Sequence, residues 1–141
     1  MSGISTIAVM SSVSRHISID INADPRVVYD FAADPANLPK WALGLAGSEV
    51  TRYGDHWSTQ SPMGAVAFTF APDNEYGVLD HEVTLPSGET TYNPMRVIRN
   101  QQGSEVIFSL RRGPGMSEAD FERDAEAVTE DLATLKSVLE T

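Results

Sequence analysis

The sequence predicts an α+β domain in which a curved antiparallel sheet of about seven strands wraps around one long C-terminal helix. Three observations predict this class: an alternating apolar pattern near the start, a run of short strand patterns in the middle, and a long helical pattern at the end. The chain has 141 residues, a length that suits a single domain with one core. We expect an apolar cavity between the sheet and the helix.

A strand and two short helices are predicted at the start of the domain. Three isoleucines alternate there with polar residues, a period typical of a strand with one buried face; they are Ile17, Ile19 and Ile21. Asp24-Pro25 then favours a helix start, because Asp caps helices well and Pro is tolerated at the first helical position. Asp34-Pro35 repeats this signal and predicts a second short helix from Pro35 to about Leu45, bent near Pro39.

Six further strand patterns follow with only short connections between them. They cover Ser48–Tyr53, His56–Gln60, Ala65–Phe70, Tyr76–Leu85, Thr90–Arg99 and Ser104–Arg112. Consecutive strands that are joined by short turns pair antiparallel, so this part of the chain predicts a meander. Together with the first strand, it accounts for a sheet of about seven strands.

The C-terminal segment has the clearest helical pattern in the chain. Its apolar residues recur at intervals of three and four and form one continuous face: Phe121, Ala125, Val128, Leu132, Leu135 and Leu139. Ser117 with Asp120 resembles a capping box at the start of the helix. The opposite face is acidic, which we interpret as a solvated surface. The apolar face supplies the layer against which a one-sided sheet can pack.

Composition excludes several classes of function. The net charge is −10, and so acidic a surface repels phosphate backbones, which makes nucleic-acid binding unexpected. The chain has no cysteine, which excludes disulfide frameworks and thiolate metal sites and fits a reducing, cytoplasmic location. No apolar run approaches the ~20 residues of a membrane span. We interpret residues 1–13 as a flexible N-terminal extension and 14–141 as the domain.

Several short motifs resemble a known superfamily. At the front they are Asp24-Pro25, Val28–Phe31, Asp34-Pro35, Leu38-Pro39 and Trp41; at the rear, Leu79–His81, Asn93–Val97, Gly103–Glu105 and Asp131–Lys136. In this order they resemble the START-like (SRPBCC) superfamily with its helix-grip fold, and in particular the small bacterial polyketide cyclase/dehydrase-like members. The resemblance implies an internal cavity for a hydrophobic molecule such as a lipid or polyketide. It implies no reaction, because only some members are enzymes and they share no catalytic set.

The turns between strands predict which residues share the inner face of the sheet. A three-residue turn at Pro86–Gly88 places His81 opposite Asn93. The next turn, counted in the same way, continues this register into the last strand. The shared face then comprises Leu79, His81, Asn93, Met95, Val97, Val106, Phe108 and Leu110. Pro94 implies a bulge in an inner strand and could shift this parity.

This inner face predicts a ligand site. His81 and Asn93 form a small polar spot on an apolar surface, which is typical of small-molecule sites. The predicted ligand-binding residues are Trp41, Trp57, Phe68, Leu79, His81, Asn93, Met95, Phe108 and Leu110. In an enzyme, His81 would act as general acid or base and Asn93 would polarise a carbonyl. Alternatively, His81 is a core residue satisfied by Asn93 or by a backbone carbonyl.

Two other chemistries are not expected. Asp80 and His81 are neighbours on a strand and therefore point to opposite faces, so they cannot form a dyad. The three histidines do not cluster in the sequence, and we expect neither a metal nor a cofactor.

Three hypotheses on function follow. The first is a module that binds a hydrophobic or aromatic small molecule, and the second is a cyclase- or dehydratase-type enzyme that uses His81. The third is a protein-interaction domain without a small ligand, for which a large exposed apolar patch would be expected. The sequence also leaves a homodimer open.

Overall fold

The computed structural model describes residues 13–42, 44, 48–61 and 64–141, and these form the elements of the fold. The strands are β1 (Ser14–Ile21), β2 (Val50–Tyr53), β3 (His56–Ser61), β4 (Gly64–Phe70), β5 (His81–Thr84), β6 (Thr90–Asn93), β7 (Met95–Asn100) and β8 (Gly103–Arg111). The helices are α1 (Pro25–Ala32), α2 (Leu38–Trp41) and α3 (Glu118–Leu139), with a 3-10 turn at Pro35–Asn37 before α2.

The strands form two antiparallel sheets, a three-stranded one in the order β1-β8-β7 and a five-stranded one in the order β2-β3-β4-β5-β6. The expectation of one curved sheet of about seven strands was therefore wrong: the described residues form eight strands in two sheets. The two sheets separate at Pro94, between β6 and β7. Proline has no N–H to donate to the ladder, so the predicted strand Thr90–Arg99 is divided there.

A second predicted strand is shorter than expected. Only its end, β5, pairs regularly; of the residues before it, Val78 forms an isolated bridge with Arg96. The backbone bends at Gly77, whose φ is +73°. A Cβ on Gly77 would lie 2.1 Å from the Val97 carbonyl oxygen, so glycine is needed both for the bend and for this close approach.

The predicted register is confirmed. His81 pairs with Asn93 across β5 and β6, and Met95 pairs with Phe108 across β7 and β8. Leu79 donates its N–H to the Met95 carbonyl, with an N···O distance of 2.8 Å. Pro94 thus breaks the ladder without shifting which side chains face inward.

The helices begin where the capping residues predict. The Asp24 side chain accepts from the Arg26 N–H, with Pro25 at the first position of α1, and Asp34 caps the 3-10 turn in the same way. The Ser117 hydroxyl accepts from the Asp120 N–H at the start of α3. The second short helix ends at Trp41, earlier than expected, and Leu45 lies outside the described residues.

The core lies between α3 and the sheets. α3 packs on β1, β8 and α2, and its buried residues come from the predicted apolar stripe: Phe121, Ala125, Leu132 and Leu135. Residues 1–12 of the predicted extension lie outside the described part of the chain, so the boundary at 13 stays a prediction. Within the described ranges, none of the helices combines the length and apolar character needed to cross a membrane.

Candidate functional site

An apolar cavity of about 500 Å³ lies between the five-stranded sheet, α2 and α3. This size falls within the range of roughly 300–1,000 Å³ that is usual for small-molecule sites. Five aromatic side chains contribute to its wall: Trp41, Phe68, Phe70, His81 and Phe108. Aliphatic side chains complete it, including Leu38, Val66, Val83, Leu85 and Leu132. The arrangement can enclose a flat, largely hydrophobic molecule.

Strand pairing places the main wall residues side by side. Phe68 of β4 pairs with Val83 of β5, and Phe70 pairs with His81. Residues two apart on a strand share one face, and directly paired residues share it across strands. The alternation along β4 and β5 therefore brings these four side chains to the inner face together.

His81 is held in one orientation by its surroundings. Its ring stacks on Phe70 with a centroid distance of 5.0 Å and meets the Phe108 ring edge at 5.9 Å. Its Nδ1 lies 2.9 Å from the Leu79 carbonyl oxygen. A carbonyl can only accept, so Nδ1 carries the proton in this network and Nε2 is left as an acceptor.

The electrostatic environment keeps this imidazole neutral. Burial lowers the pKa of His81 below its ordinary value of 6.5, although the bond to Leu79 and the nearby Asp80 charge act in the opposite direction. The described part of the chain offers no hydrogen-bond partner to Nε2, and this atom is not among the fully enclosed polar atoms. Nε2 is therefore an acceptor that remains accessible at the cavity wall.

Asn93 lies opposite His81 in the register and also lines the cavity. Its carboxamide makes no hydrogen bond with the residues that the structure describes, and neither of its polar atoms is fully enclosed. Of the two partners that the sequence allowed for a core histidine, the backbone carbonyl is the one observed. Asn93 thus keeps both donor and acceptor capacity toward the cavity.

Trp41 contributes bulk rather than an accessible polar group. It is only 5% exposed, and its Nε1 is buried without a hydrogen-bond partner among the described residues. An unsatisfied buried donor costs about 1–3 kcal/mol. Because Nε1 is itself enclosed, a ligand in the cavity would reach it only if α2 moved.

The structure brings five of the nine sequence-predicted site residues to the cavity wall: Trp41, Phe68, His81, Asn93 and Phe108. Four lie elsewhere: Trp57, Leu79, Met95 and Leu110. Trp57 packs at the core margin, with the Arg52 guanidinium 6.0 Å from its ring, and the other three are buried in the core. Leu79 and Met95 lie where the chain between Gly77 and β5 packs on β7, so they fill the interior there.

Several wall residues were missed by the sequence-based selection, notably Leu38, Phe70, Val83 and Leu132. Phe70 and Val83 carried a usable signal, because they follow the same alternation as Phe68 and His81. Leu38 and Leu132 carried only a general core signal, because helical periodicity identifies the buried face without distinguishing a cavity from a filled core.

Asp80 points away from the cavity and forms no dyad with His81. Its carboxylate accepts hydrogen bonds from the Tyr92 hydroxyl, the Met95 N–H and the Arg96 guanidinium. Burial alone would raise the pKa of Asp80, but these bonds, with Arg96 contributing most, hold it below 3.8. The prediction that neighbours on this strand face opposite ways is confirmed.

The remaining histidines are engaged on the surface. His16 contacts the Ser109 hydroxyl, and His56 lies 3.5 Å from the Asp55 carboxylate. Across the described ranges, no group of three or more His, Asp or Glu side chains is placed to hold a metal ion.

Two antiparallel sheets, a long C-terminal helix packed on them and an apolar cavity beneath that helix define a helix-grip fold. Solved structures share it. An uncharacterised protein from Bacillus thuringiensis superposes with a TM-score of 0.73 at 14% identity, over 92% of this chain and 100% of that chain. For the Aha1 dimer from Colwellia psychrerythraea the TM-score is 0.71 at 16% identity, over 91% and 96% of the two chains.

A third similar structure is DynU16, described as a protein in the dynemicin biosynthetic locus. Its TM-score is 0.71 at 11% identity, over 91% of this chain and 47% of DynU16, so the chain spans about half the length of that protein. No family model and no curated protein matches the sequence. The helix-grip fold that the sequence motifs led us to expect is confirmed, and at these identities the fold is all that the comparisons show to be shared.

Acidification is expected to destabilise the protein in part through His81. On unfolding, the pKa of this buried imidazole returns upward to about 6.5. Between the folded-state and the unfolded-state pKa, the unfolded protein therefore binds more protons than the folded protein. The contribution of His81 to the free energy of unfolding is therefore fully present above about pH 6.5. It falls as the pH drops toward the lower folded-state pKa. Urea unfolding between about pH 7.5 and pH 5.5 should give a flatter profile for His81→Phe than for the wild-type protein.

His56→Gln is the matched control for this pH experiment, because it removes an imidazole whose side chain is 45% exposed. Its profile should follow that of the wild-type protein. Superimposable profiles for His81→Phe and wild type would show that the ring at position 81 gains no proton on unfolding.

Proposed function

We propose that the protein binds a hydrophobic or aromatic small molecule, polyketide-like or lipid-like, in the cavity beneath α3. The observation that carries this proposal is the cavity of about 500 Å³, walled by aromatic and aliphatic side chains with His81 and Asn93 as accessible polar groups. Sites of this kind gain affinity from apolar burial and orientation from a few polar contacts.

The structural neighbours are consistent with small-molecule binding. DynU16 is described as belonging to the dynemicin biosynthetic locus, which is consistent with a biosynthetic intermediate or product as the bound molecule. The Aha1 neighbour is a dimer, and a homodimer of this chain stays a prediction that is separate from ligand binding.

The hydrogen-bond partner of His81 favours a binding role over a catalytic one. Its Nδ1 is held by a backbone carbonyl, not by a carboxylate that would stabilise a charged imidazolium during proton transfer. A neutral imidazole that is fixed by a backbone group is well suited to accept a hydrogen bond from a ligand. A cyclase- or dehydratase-type reaction with His81 as base is the second candidate, and it would use the same Nε2 atom.

Filling the cavity is expected to weaken ligand binding. Val83 lies on the cavity wall, and Val83→Trp would occupy volume that a ligand needs. With Nile red as the probe, we expect Val83→Trp to weaken binding by about tenfold or more relative to the wild-type protein, measured by fluorescence titration.

Glu82→Trp is the matched control, since Glu82 is the preceding residue of β5 and is exposed on the opposite face. It adds the same side chain outside the cavity and should leave Nile red binding within about twofold of wild type. Circular dichroism would establish that both variants are folded. Undiminished binding by a folded Val83→Trp protein would mean that the probe binds elsewhere, and the cavity proposal would fail.

A further inference from the structure

We infer that the ligand is not anionic and that one edge of its ring system carries a hydroxyl, which donates to His81 Nε2, and a carbonyl, which accepts from the Asn93 carboxamide. This inference rests on the proposed function and names the chemical class of the bound molecule, a hydroxylated aromatic ketone. It is argued from the hydrogen-bonding capacity that the cavity leaves unused.

The first step concerns His81. The Leu79 carbonyl accepts a hydrogen bond from the Nδ1–H of His81, so Nε2 presents a lone pair and no proton. Such an atom binds a hydroxyl or N–H donor and repels a carbonyl oxygen. Phe70 stacked on one side of the imidazole fixes the plane of the ring, and with it the direction of the lone pair.

The second step concerns Asn93. Directly paired residues on antiparallel strands have Cβ atoms roughly 4.5–5.5 Å apart, and His81 and Asn93 are such a pair. The two free polar groups therefore lie next to each other on one wall. The Asn93 amide can donate where the imidazole cannot, so together they complement a donor and an acceptor that lie close together on a ligand.

The third step concerns charge. Among the described residues that line the cavity, none is Lys or Arg, whereas the acidic residue Asp131 is one of them. A carboxylate or phosphate ligand would lose its hydration there without gaining a cationic partner, which is strongly unfavourable in an apolar site. The cavity therefore disfavours anionic molecules.

A matched series of naphthalenes tests this inference on the intact protein. 3-Acetyl-1-naphthol carries both groups, 3-acetyl-1-methoxynaphthalene lacks the hydroxyl donor, and 1-naphthol lacks the carbonyl. 4-Hydroxy-2-naphthoate replaces the ketone with a carboxylate. Dissociation constants from displacement of Nile red, checked by calorimetry, would compare the four probes.

The wild-type protein should bind 3-acetyl-1-naphthol about three- to tenfold more tightly than either analogue that lacks one polar group, which is the range of a single neutral hydrogen bond. The carboxylate should bind weaker than the ketone by about tenfold or more. The His81→Phe variant should bind the methyl ether and 3-acetyl-1-naphthol with similar affinity. The Asn93→Leu variant should bind 1-naphthol and 3-acetyl-1-naphthol with similar affinity.

A second measurement needs no variant of the site. The ¹⁵N resonance of His81 Nε2 should shift when 3-acetyl-1-naphthol binds and should shift much less with the methyl ether, while His16 and His56 serve as internal references. A residue with a merely structural role would respond equally to both probes.

The two proposals fail in different ways. Equal affinities of the wild-type protein for all four naphthalenes would leave the cavity as a binding site and overturn the assignment of its polar groups. Tighter binding of the carboxylate would also overturn that assignment. If neither Nile red nor any naphthalene binds, the proposed function fails and this inference fails with it.

Discussion

Leu135→Ala is expected to lower the free energy of unfolding by about 3–5 kcal/mol. Leu135 has 0% of its surface exposed and lies near the C-terminal end of the apolar stripe with which α3 covers the core. Truncating it removes buried methyl groups and leaves a void that tightly packed neighbours cannot fill. This is a large effect for a domain of this size, whose total stability is commonly about 5–15 kcal/mol.

Leu139→Ala is the matched control, because it makes the same substitution one turn later in the same helix. Leu139 is only partly buried, at the last position of α3, so we expect a cost of about 1 kcal/mol. Urea unfolding followed by circular dichroism would measure both variants. Equal losses of stability would contradict the packing of α3, because a fully buried position would then contribute no more than the partly buried last residue of the helix.

The order and type of the elements could be predicted because they depend on local patterns. The isoleucines of β1 and the stripe of α3 have distinct periodicities, and Asp24 and Asp34 mark helix starts by their capping chemistry. The register between β5 and β6 was predictable as well, because a short turn determines which residues pair. The sequence alone therefore predicts that His81 and Asn93 are neighbours, as the structure shows.

Features that depend on the path of the backbone could not be predicted to the same degree. Pro94 was recognised as a disturbance, but the sequence does not say whether a proline bends one sheet or separates two. The bend at Gly77 shortens β5 because Asn74 accepts hydrogen bonds from the N–H groups of Tyr76 and Val78, a contact that hydrophobic periodicity does not encode.

The same limit applies to the candidate site. Alternation places Leu79 and Met95 on the inner face, and both are buried, but periodicity cannot tell the filled end of the core from the hollow end. That distinction depends on how far α3 and α2 stand from each strand. The unpartnered donor of Trp41 was equally beyond prediction, because hydrogen-bond partners of a buried indole are set by the tertiary arrangement.

Among the polar residues, Asp80 is expected to stabilise the connection between the two sheets most. Its carboxylate, which belongs to a residue only 7% exposed, accepts from the Tyr92 hydroxyl before Pro94 and from the Met95 N–H and the Arg96 guanidinium after it. One side chain therefore links β6 to β7 across the point where proline interrupts the ladder. The backbone pairing that is lost at Pro94 is replaced in part by these bonds.

Asp80→Ala should lower the free energy of unfolding by about 2–4 kcal/mol. The main cost is the buried Met95 N–H, which would lose its partner. Arg96 contributes less, because its side chain is 46% exposed and water can replace the carboxylate. Tyr92→Phe is the matched control: it removes a single hydrogen bond from the same cluster and should cost about 0.5–1.5 kcal/mol.

The pH dependence separates this role from simple packing. Burial would raise the pKa of Asp80, but the bonds from Arg96, Tyr92 and Met95 outweigh it and hold the folded-state pKa below the unfolded value of 3.8. A carboxylate with a lowered folded-state pKa stabilises the protein above about pH 3.8, and this contribution is lost as the pH falls through the folded-state pKa. The stability gap between wild type and Asp80→Ala should therefore be widest near neutral pH and narrow in acid. Urea unfolding at about pH 7 and about pH 3 would measure it, and a gap of constant size would show that Asp80 acts through its volume and not through its charge.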